Sequence, residues 1–214
     1  MMKNMLPIAV VVATALQLVG CGASTMSARV TDAVDTVNRL NASAEKPTKE
    51  DMKNVKGVVI MHTAQGGLGV GGEGGGGVVM KAIGRGWGAP FAMDVAAGTI
   101  GLQIGGQSKH FLIVFYDEGA LNQFVKGGMQ LQAVGEGTGG TASGDTRSTS
   151  TLYKPFIAGA GLYGGLQLGG LNFSPATKVN EASYPGASTT AILDGKVTKP
   201  ENLSSLTKAL DALR

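Results

Sequence analysis

The residues of this 214-residue chain with the most chemical potential fall into small groups. Lys81, Arg85 and Trp87 lie close together around Gly84, Gly86 and Gly88. Two cations beside an indole suit the boundary of a lipid headgroup layer, where the apolar ring and its polar N–H are both accommodated. The same residues also fit a half-buried tryptophan covered by an arginine stem. Glu73 stands alone in a glycine-rich run. A carboxylate among bare backbone amides either fixes a turn or meets a ligand, and the turn is the simpler expectation. His62 and His110 have no acidic or cysteine neighbours at ligand spacing, so each reads as a packed or surface histidine rather than a metal ligand or general base.

Other apparent motifs carry no chemistry. Asp117-Glu118 is an adjacent carboxylate pair, but it sits where a helix start wants negative charge, and capping accounts for it. Gly67-Leu68-Gly69-Val70-Gly71-Gly72 fits G-x-G-x-x-G. That fingerprint works by opening a helix whose N-terminus receives pyrophosphate, whereas here more glycines and the strand-like Val78-Val79-Met80 follow. There is no P-loop lysine motif and no G-x-S-x-G elbow. With no nucleophile, base and orienting group to assemble, the expectation is a protein that is not an enzyme and needs no metal or cofactor.

The single cysteine is different, because its position has a chemistry of its own. Lys3 is followed by an apolar run from Leu6 to Leu16, too short for a transmembrane span but suited to a secretory leader. Leu18-Val19-Gly20-Cys21 comes next and resembles the bacterial lipobox, in which the cysteine sulfur receives diacylglycerol and the residue becomes the mature N-terminus. The expectation is cleavage before Cys21 and lipidation there, with fatty acyl chains such as palmitate. Each buried methylene contributes about 0.8 kcal/mol, and two or three chains anchor stably where one does not. Gly22 lacks the aspartate that retains lipoproteins in the inner membrane, so outer-membrane attachment in a bacterial envelope is expected.

The elements that would position these residues can be read from periodicity. Residues 24–41 follow Ser24 and Thr25, both good N-caps, and place Met26, Val30, Ala33, Val34, Val37 and Leu40 at helical spacing. This amphipathic helix either packs on the domain's own core or lies in the membrane interface beside Cys21. Glu45 to Asp51 reads as a solvated connector. Short apolar runs then alternate with glycines: Val58–Met61, Leu68–Val70, Val78–Ile83, Phe91–Val95, Thr99–Ile104 and His110–Tyr116. They are expected to be strands joined by tight turns, the last of them central and buried on both faces. Asp117 caps a short helix ended by Gly127-Gly128. A strand at Met129–Val134 and a mobile loop over residues 139–149 follow. Strands return at Leu152–Ile157 and Gly161–Phe173. A helix from Ala187 to Asp194 ends at Gly195, and Thr198 with Glu201 caps a last helix whose Leu203, Leu206, Leu210 and Leu213 dock on the sheet. Gly101-Leu-Gln-Ile-Gly-Gly106 recurs as Gly165-Leu-Gln-Leu-Gly-Gly170 without flanking identity.

Composition bounds these readings. Thirty-five glycines without a G-X-Y period exclude collagen and point to closely approaching backbones. The net charge of +3, or +2 once a leader containing Lys3 is removed, is too small to argue for nucleic acid. A mild attraction to anionic headgroups remains, at about 1 kcal/mol per clustered basic residue.

Taken in order, several segments resemble the SYLF domain. They are Lys56–Ile60, Gly69–Glu73 with Gly77–Val79, Gly86-Trp87 with Ala89-Pro90, and Gly101–Gln107. Phe111–Leu121, Leu162–Leu171, Asn180–Gly186 and Ala191–Leu193 continue the likeness, which covers roughly residues 50–212. The resemblance implies a lipid-binding module, found in bacteria on envelope lipoproteins; actin contact, known for some eukaryotic members, does not follow for an exported protein. The expected layout is a signal peptide at 1–20, a lipidated N-terminus with helix and connector at 21–49, and a SYLF-like domain at 50–214. The expected fold is α+β, a curved and mostly antiparallel β-sheet packed with N-terminal and C-terminal helices. The expected partners are membrane phospholipids, met through Lys81, Arg85 and Trp87. The alternative is a structural or interaction lipoprotein that binds an envelope protein.

Overall fold

A computed structural model describes residues 25–44, 46–127, 152–160 and 171–214. Cys21 and its leader, the strand at 129–134, the loop at 139–149 and the second Gly-Leu-Gln run at 165–170 lie outside the described residues.

The centre of the fold is one long antiparallel hairpin, β1 (Gly57–Ile83) with β3 (Phe91–Phe115), and the two-residue β2 (Gly86–Trp87) lies between them in the chain. Pairing runs from Gly57 opposite Phe115 to Val79 opposite Phe91, with one irregularity between Leu68 and Val70. The expected short strands therefore merge: three runs form β1 and three form β3, and the glycines between them are strand residues rather than turns. The backbone gives the reason. Among the described residues, positive φ occurs at Gly84, Gly127, Gly186 and Gly195 and at Asn54, none of them inside β1 or β3.

The glycines serve close approach instead. A Cβ on Gly75 would collide with the His62 carbonyl, and one on Gly77 with the Ile60 carbonyl. The second half of β1 thus crosses over its own first half, and the Ala82 amide donates to the Lys56 carbonyl at 2.9 Å. A strand can fold over itself at this separation only where one layer has no side chains.

Strand β4 (Tyr153–Ala160) pairs with the Ser108–Phe115 end of β3, and β5 (Asn172–Pro175) with Met93–Ala96. The sheet order is β2-β1-β3-β4, with β5 also on β3, and every pairing is antiparallel. Phe111 to Phe115 are buried between β1 and β4, as a continuous apolar run should be. The fold is α+β, as the sequence pattern implied.

Helix α1 (Met26–Asn41) is capped by Thr25, whose hydroxyl accepts from the Ala28 amide at 3.2 Å. Met26, Val30, Ala33, Val37 and Leu40 are buried on the hairpin, so the apolar stripe belongs to the domain's core. Burying such side chains stabilises by about 1.5–3 kcal/mol each. Helix α2 (Glu118–Val125) starts where expected, with Asp117 accepting from Ala120 N at 2.7 Å. Helix α3 (Thr177–Ser183) carries Asn180, whose side-chain amide both accepts from Ala92 N and donates to Ala92 O. It completes the β3 edge there as a neighbouring strand would.

Helix α4 (Thr189–Leu193) is capped by Ser188 and stopped at Gly195, whose φ is +68°. The last helix, α5 (Leu203–Asp211), departs from expectation twice. It begins after Asn202 with no side-chain cap, so Thr198 and Glu201 do not form a capping box. Its buried leucines pack on α1 rather than on the sheet, and Asn202 donates to the Ser27 carbonyl. The N-terminal helix already occupies the layer that the leucine stripe was expected to cover.

Candidate functional site

The register of the hairpin creates a site that linear spacing hides. His62 of β1 lies directly opposite His110 of β3, and their rings stack with centroids 4.6 Å apart at 16°. Ser108 is two residues from His110 and so shares its face of the sheet. Its hydroxyl lies 2.6 Å from His62 Nε2. From α1, Thr36 Oγ1 shares a hydrogen bond with His110 Nδ1 at 3.0 Å.

Asp32, Asp35 and Arg39 follow one another at spacings of three and four, which puts them on one side of α1. They form the second wall of an open groove of about 640 Å³ whose first wall is His62, Ser108 and His110. Ala42 and Ala158 complete the lining. Arg39 Nε donates to Asp35 Oδ2 at 2.7 Å, with both side chains more than half exposed. His110 is only 8% exposed. Burial, then the charges of His62 and Arg39, push its pKa from 6.5 down to about 4, with Asp35 opposing. His110 is therefore uncharged at neutral pH.

A serine hydroxyl this close to an imidazole has the spacing of a nucleophile and its base. Among the described residues nothing hydrogen-bonds the other ring nitrogen of His62, so the pair lacks the third member of a triad. Nor do three His, Cys, Asp or Glu side chains converge as metal ligands among the described residues. What the groove presents is binding chemistry: two carboxylates, a guanidinium, a hydroxyl and imidazoles within one cleft.

Strand neighbours of the histidines face the other way and hold a buried charge pair. Thr63 Oγ1 donates to Glu73 Oε1 at 2.7 Å, and Lys109 Nζ donates to Glu73 Oε2 at 2.8 Å. Glu73 is 3% exposed within β1, so the expectation that it fixes a turn is corrected. Its partner Lys109 is 36 residues away in sequence and is brought to it by the folding of the hairpin over itself. A second deep cation, Arg29 of α1, donates to the Met93 carbonyl at 2.6 Å and pairs with Asp94. Its guanidinium occupies the space a side chain on Gly76 would fill.

Lys81, Arg85 and Trp87 sit together where β1 turns into β2. Lys81 is bracketed by Glu118 at 2.5 Å and Asp194 at 3.0 Å, contacts that raise its pKa, Glu118 most. Trp87 is 4% exposed; its indole N–H donates to Asp211 at 3.1 Å, and Arg214 stacks over the ring at 4.2 Å. An arginine does cover the tryptophan, but it comes from the end of the chain instead of from Arg85. Lys81 and Trp87 are therefore committed within the fold, and of the three only Arg85 is exposed, beside the exposed Ile83. Linear spacing does not single out Asp32, Asp35, Arg39 or Ser108. The signal that would have found them is the pairing of His62 with His110, which requires knowing that β1 and β3 are each one strand.

Helices clasping a long antiparallel hairpin, with a polar groove at the helix–sheet seam, define a domain of the α+β class. The model of the family described as "Ysc84: Las17-binding protein actin regulator" matches residues 96–213. The chain belongs to this family, whose domain is the SYLF domain. It is 26% identical over 200 residues to the SH3 domain-containing YSC84-like protein 1 of Xenopus laevis, covering 88% of this chain and 59% of that protein. It is 27% identical over 197 residues to the SH3 domain-containing protein PJ696.02 of Schizosaccharomyces pombe, covering 86% and 45%. The chain thus spans about half the length of the curated relatives it matches. No solved structure matches it.

Proposed function

We propose that this chain is a bacterial envelope lipoprotein, cut before Cys21 and lipidated there, whose SYLF domain binds phospholipid at the membrane surface without catalysis. The observation that carries the reading is the lone cysteine, placed directly behind an apolar leader in Leu18-Val19-Gly20-Cys21, upstream of a domain of this family. Among the described residues no helix is long and apolar enough to cross a membrane, so acyl chains are the attachment the reading invokes. Outer-membrane location belongs to the same proposal, through Gly22.

The test has two arms. Mass spectrometry of the mature N-terminus should find a diacylglyceryl-modified Cys21, and Cys21→Ser should move the protein from the membrane fraction to the soluble one. Vesicle co-sedimentation of the chain from Gly22 onward, which carries every described residue, should show retention on phospholipid. An unmodified sulfhydryl removes the anchor, and passage through all vesicles unbound removes the lipid ligand.

A second reading has its own support, because the matching family is described as Las17-binding. In it the domain binds a protein of the envelope. Crosslinking that captures one discrete partner, with no lipid retained on vesicles, would favour it.

A further inference from the structure

The groove between α1 and the hairpin has walls of mixed charge, and that mixture restricts its ligand. Asp32 has no hydrogen bond or ion pair among the described residues, although it lines the cleft. Asp35 is held only by Arg39, in a pair whose side chains are 53% and 59% exposed. A pair this exposed is weak and readily exchanged for ligand contacts. Opposite them stand the Ser108 hydroxyl and the His62 ring, already within 2.6 Å of each other.

We propose that this groove binds the headgroup of a zwitterionic phospholipid, its ammonium between Asp32 and Asp35 and its phosphate against Arg39, Ser108 and His62. The proposal rests on the phospholipid-binding reading above and names its ligand class. Charge decides against the alternatives. A polyanionic headgroup would meet two carboxylates and only one guanidinium, beside a His110 ring that burial keeps uncharged. A simple cation would meet the guanidinium and find no converging set of ligands among the described residues. A headgroup whose ammonium and phosphate are joined by a two-carbon linker offers both charges within one cleft. Phosphate oxygens suit a guanidinium, a hydroxyl and an imidazole as donors, and an ammonium suits carboxylates.

Position agrees with charge. Met26, the first residue of α1, stands five positions after Cys21, a reach of at most about 18 Å. A lipidated Cys21 would hold the start of α1 close to the bilayer. Asp32, Asp35 and Arg39 are exposed on this same helix. The groove volume also lies in the ordinary range for a small-molecule site.

The experiment uses the chain from Gly22 onward with vesicles of phosphatidylglycerol alone, with added phosphatidylethanolamine, or with added phosphatidylcholine. The expected result is that phosphatidylethanolamine vesicles bind at least tenfold tighter than phosphatidylglycerol vesicles. Asp32→Asn with Asp35→Asn, and separately Arg39→Gln with Ser108→Ala, should each lower that binding about tenfold. O-phosphoethanolamine should compete for the site and inorganic phosphate should not, which distinguishes a headgroup from a bare phosphate site. All four positions are exposed, so circular dichroism and thermal unfolding should match the wild type. Binding to phosphatidylethanolamine that neither double variant changes, or binding confined to phosphatidylglycerol, overturns the groove assignment and leaves lipid binding standing. No binding to any vesicle overturns both.

Discussion

Lowering the pH should unlock α1 from the sheet through one side chain. His110 joins the hairpin to the helix: Thr36 Oγ1 of α1 shares a hydrogen bond with its Nδ1, and its other neighbours are His62 on β1 and Ala158 across on β4. The charged groups that line its groove are Asp32, Asp35 and Arg39 on α1. Burial, then repulsion from His62 and Arg39, lowers its pKa to about 4 from the ordinary 6.5. At 1.36 kcal/mol per unit this difference has an upper limit of about 3.4 kcal/mol, and solvent in the open groove screens it to about 2 kcal/mol.

The sign follows from which state holds the proton. Between pH 6.5 and 4 the unfolded chain protonates this imidazole and the folded protein does not, so folding stability falls as the solution is acidified. The contribution is complete above about pH 6.5 and is lost progressively down to about pH 4. Urea denaturation at pH 7 and pH 4.5, at one ionic strength, measures it against His110→Gln. The amide keeps a hydrogen-bonding partner for Thr36 and does not titrate. The wild type should lose about 2 kcal/mol more than the variant between the two pH values. Equal losses would mean that the His110 ring titrates as it does in water, and the account of a buried, uncharged linker would be refuted.

The glycine crossing predicts a contrast between positions. Gly77→Ala, which drives a methyl into the Ile60 carbonyl, should destabilise by about 3 kcal/mol, whereas Gly86→Ala, with nothing nearer than 3.8 Å, should stay within about 0.5 kcal/mol in thermal or urea unfolding. Lys109→Met strands the buried Glu73 carboxylate and should cost about 3–5 kcal/mol. Adding Glu73→Met should recover part of that loss, so a double-mutant cycle with no coupling would count against the pair. Removing Arg214 should leave the buried Trp87 without its cation and expose it, read as a red shift and stronger quenching of the single tryptophan's fluorescence.

The parts of this fold legible in the sequence are those governed by local rules. The stripe from Met26 to Leu40, the Asp117 cap, the central Phe111–Phe115 strand and the Gly195 stop follow from spacing and capping chemistry, and the structure has them all. Glycine is where local rules fail. A run such as Gly74 to Gly77 has the composition of a turn, and only the presence of Ile60 to Thr63 directly beneath it makes it strand. That neighbour is some fifteen residues away and unknown until the hairpin has curled. The same cause hides two further contacts from linear spacing. Glu73 seemed stranded in a loop because Thr63 and Lys109 were not yet beside it. His62 and His110 seemed unrelated because 48 residues separate them and only a strand of full length aligns them. The cation over Trp87 is hidden for a different reason: Arg85 is nearer in sequence, but Arg214 reaches the ring through the packing of α5.

On the proposed reading attachment and recognition would be separable, and the separation has a physical consequence. A headgroup site on an exposed, screened ion pair binds weakly when free in solution. If the proposed anchor holds the start of α1 within about 18 Å of a bilayer, the groove on that helix would meet lipid at an effective concentration in the millimolar range or above, enough to occupy a weak site. The curated relatives, whose names include an SH3 domain, extend well beyond the region shared with this chain. Here the segment before α1 would supply the membrane address. With Cys21 intact, Asp32→Asn with Asp35→Asn should therefore leave the protein wholly in the membrane fraction, because the acyl chains dominate retention. In a Cys21→Ser background the same pair should lower the residual vesicle binding about tenfold. If the groove variants released the lipidated protein, retention would depend on the groove and not on the anchor, and the division of labour argued here would be wrong.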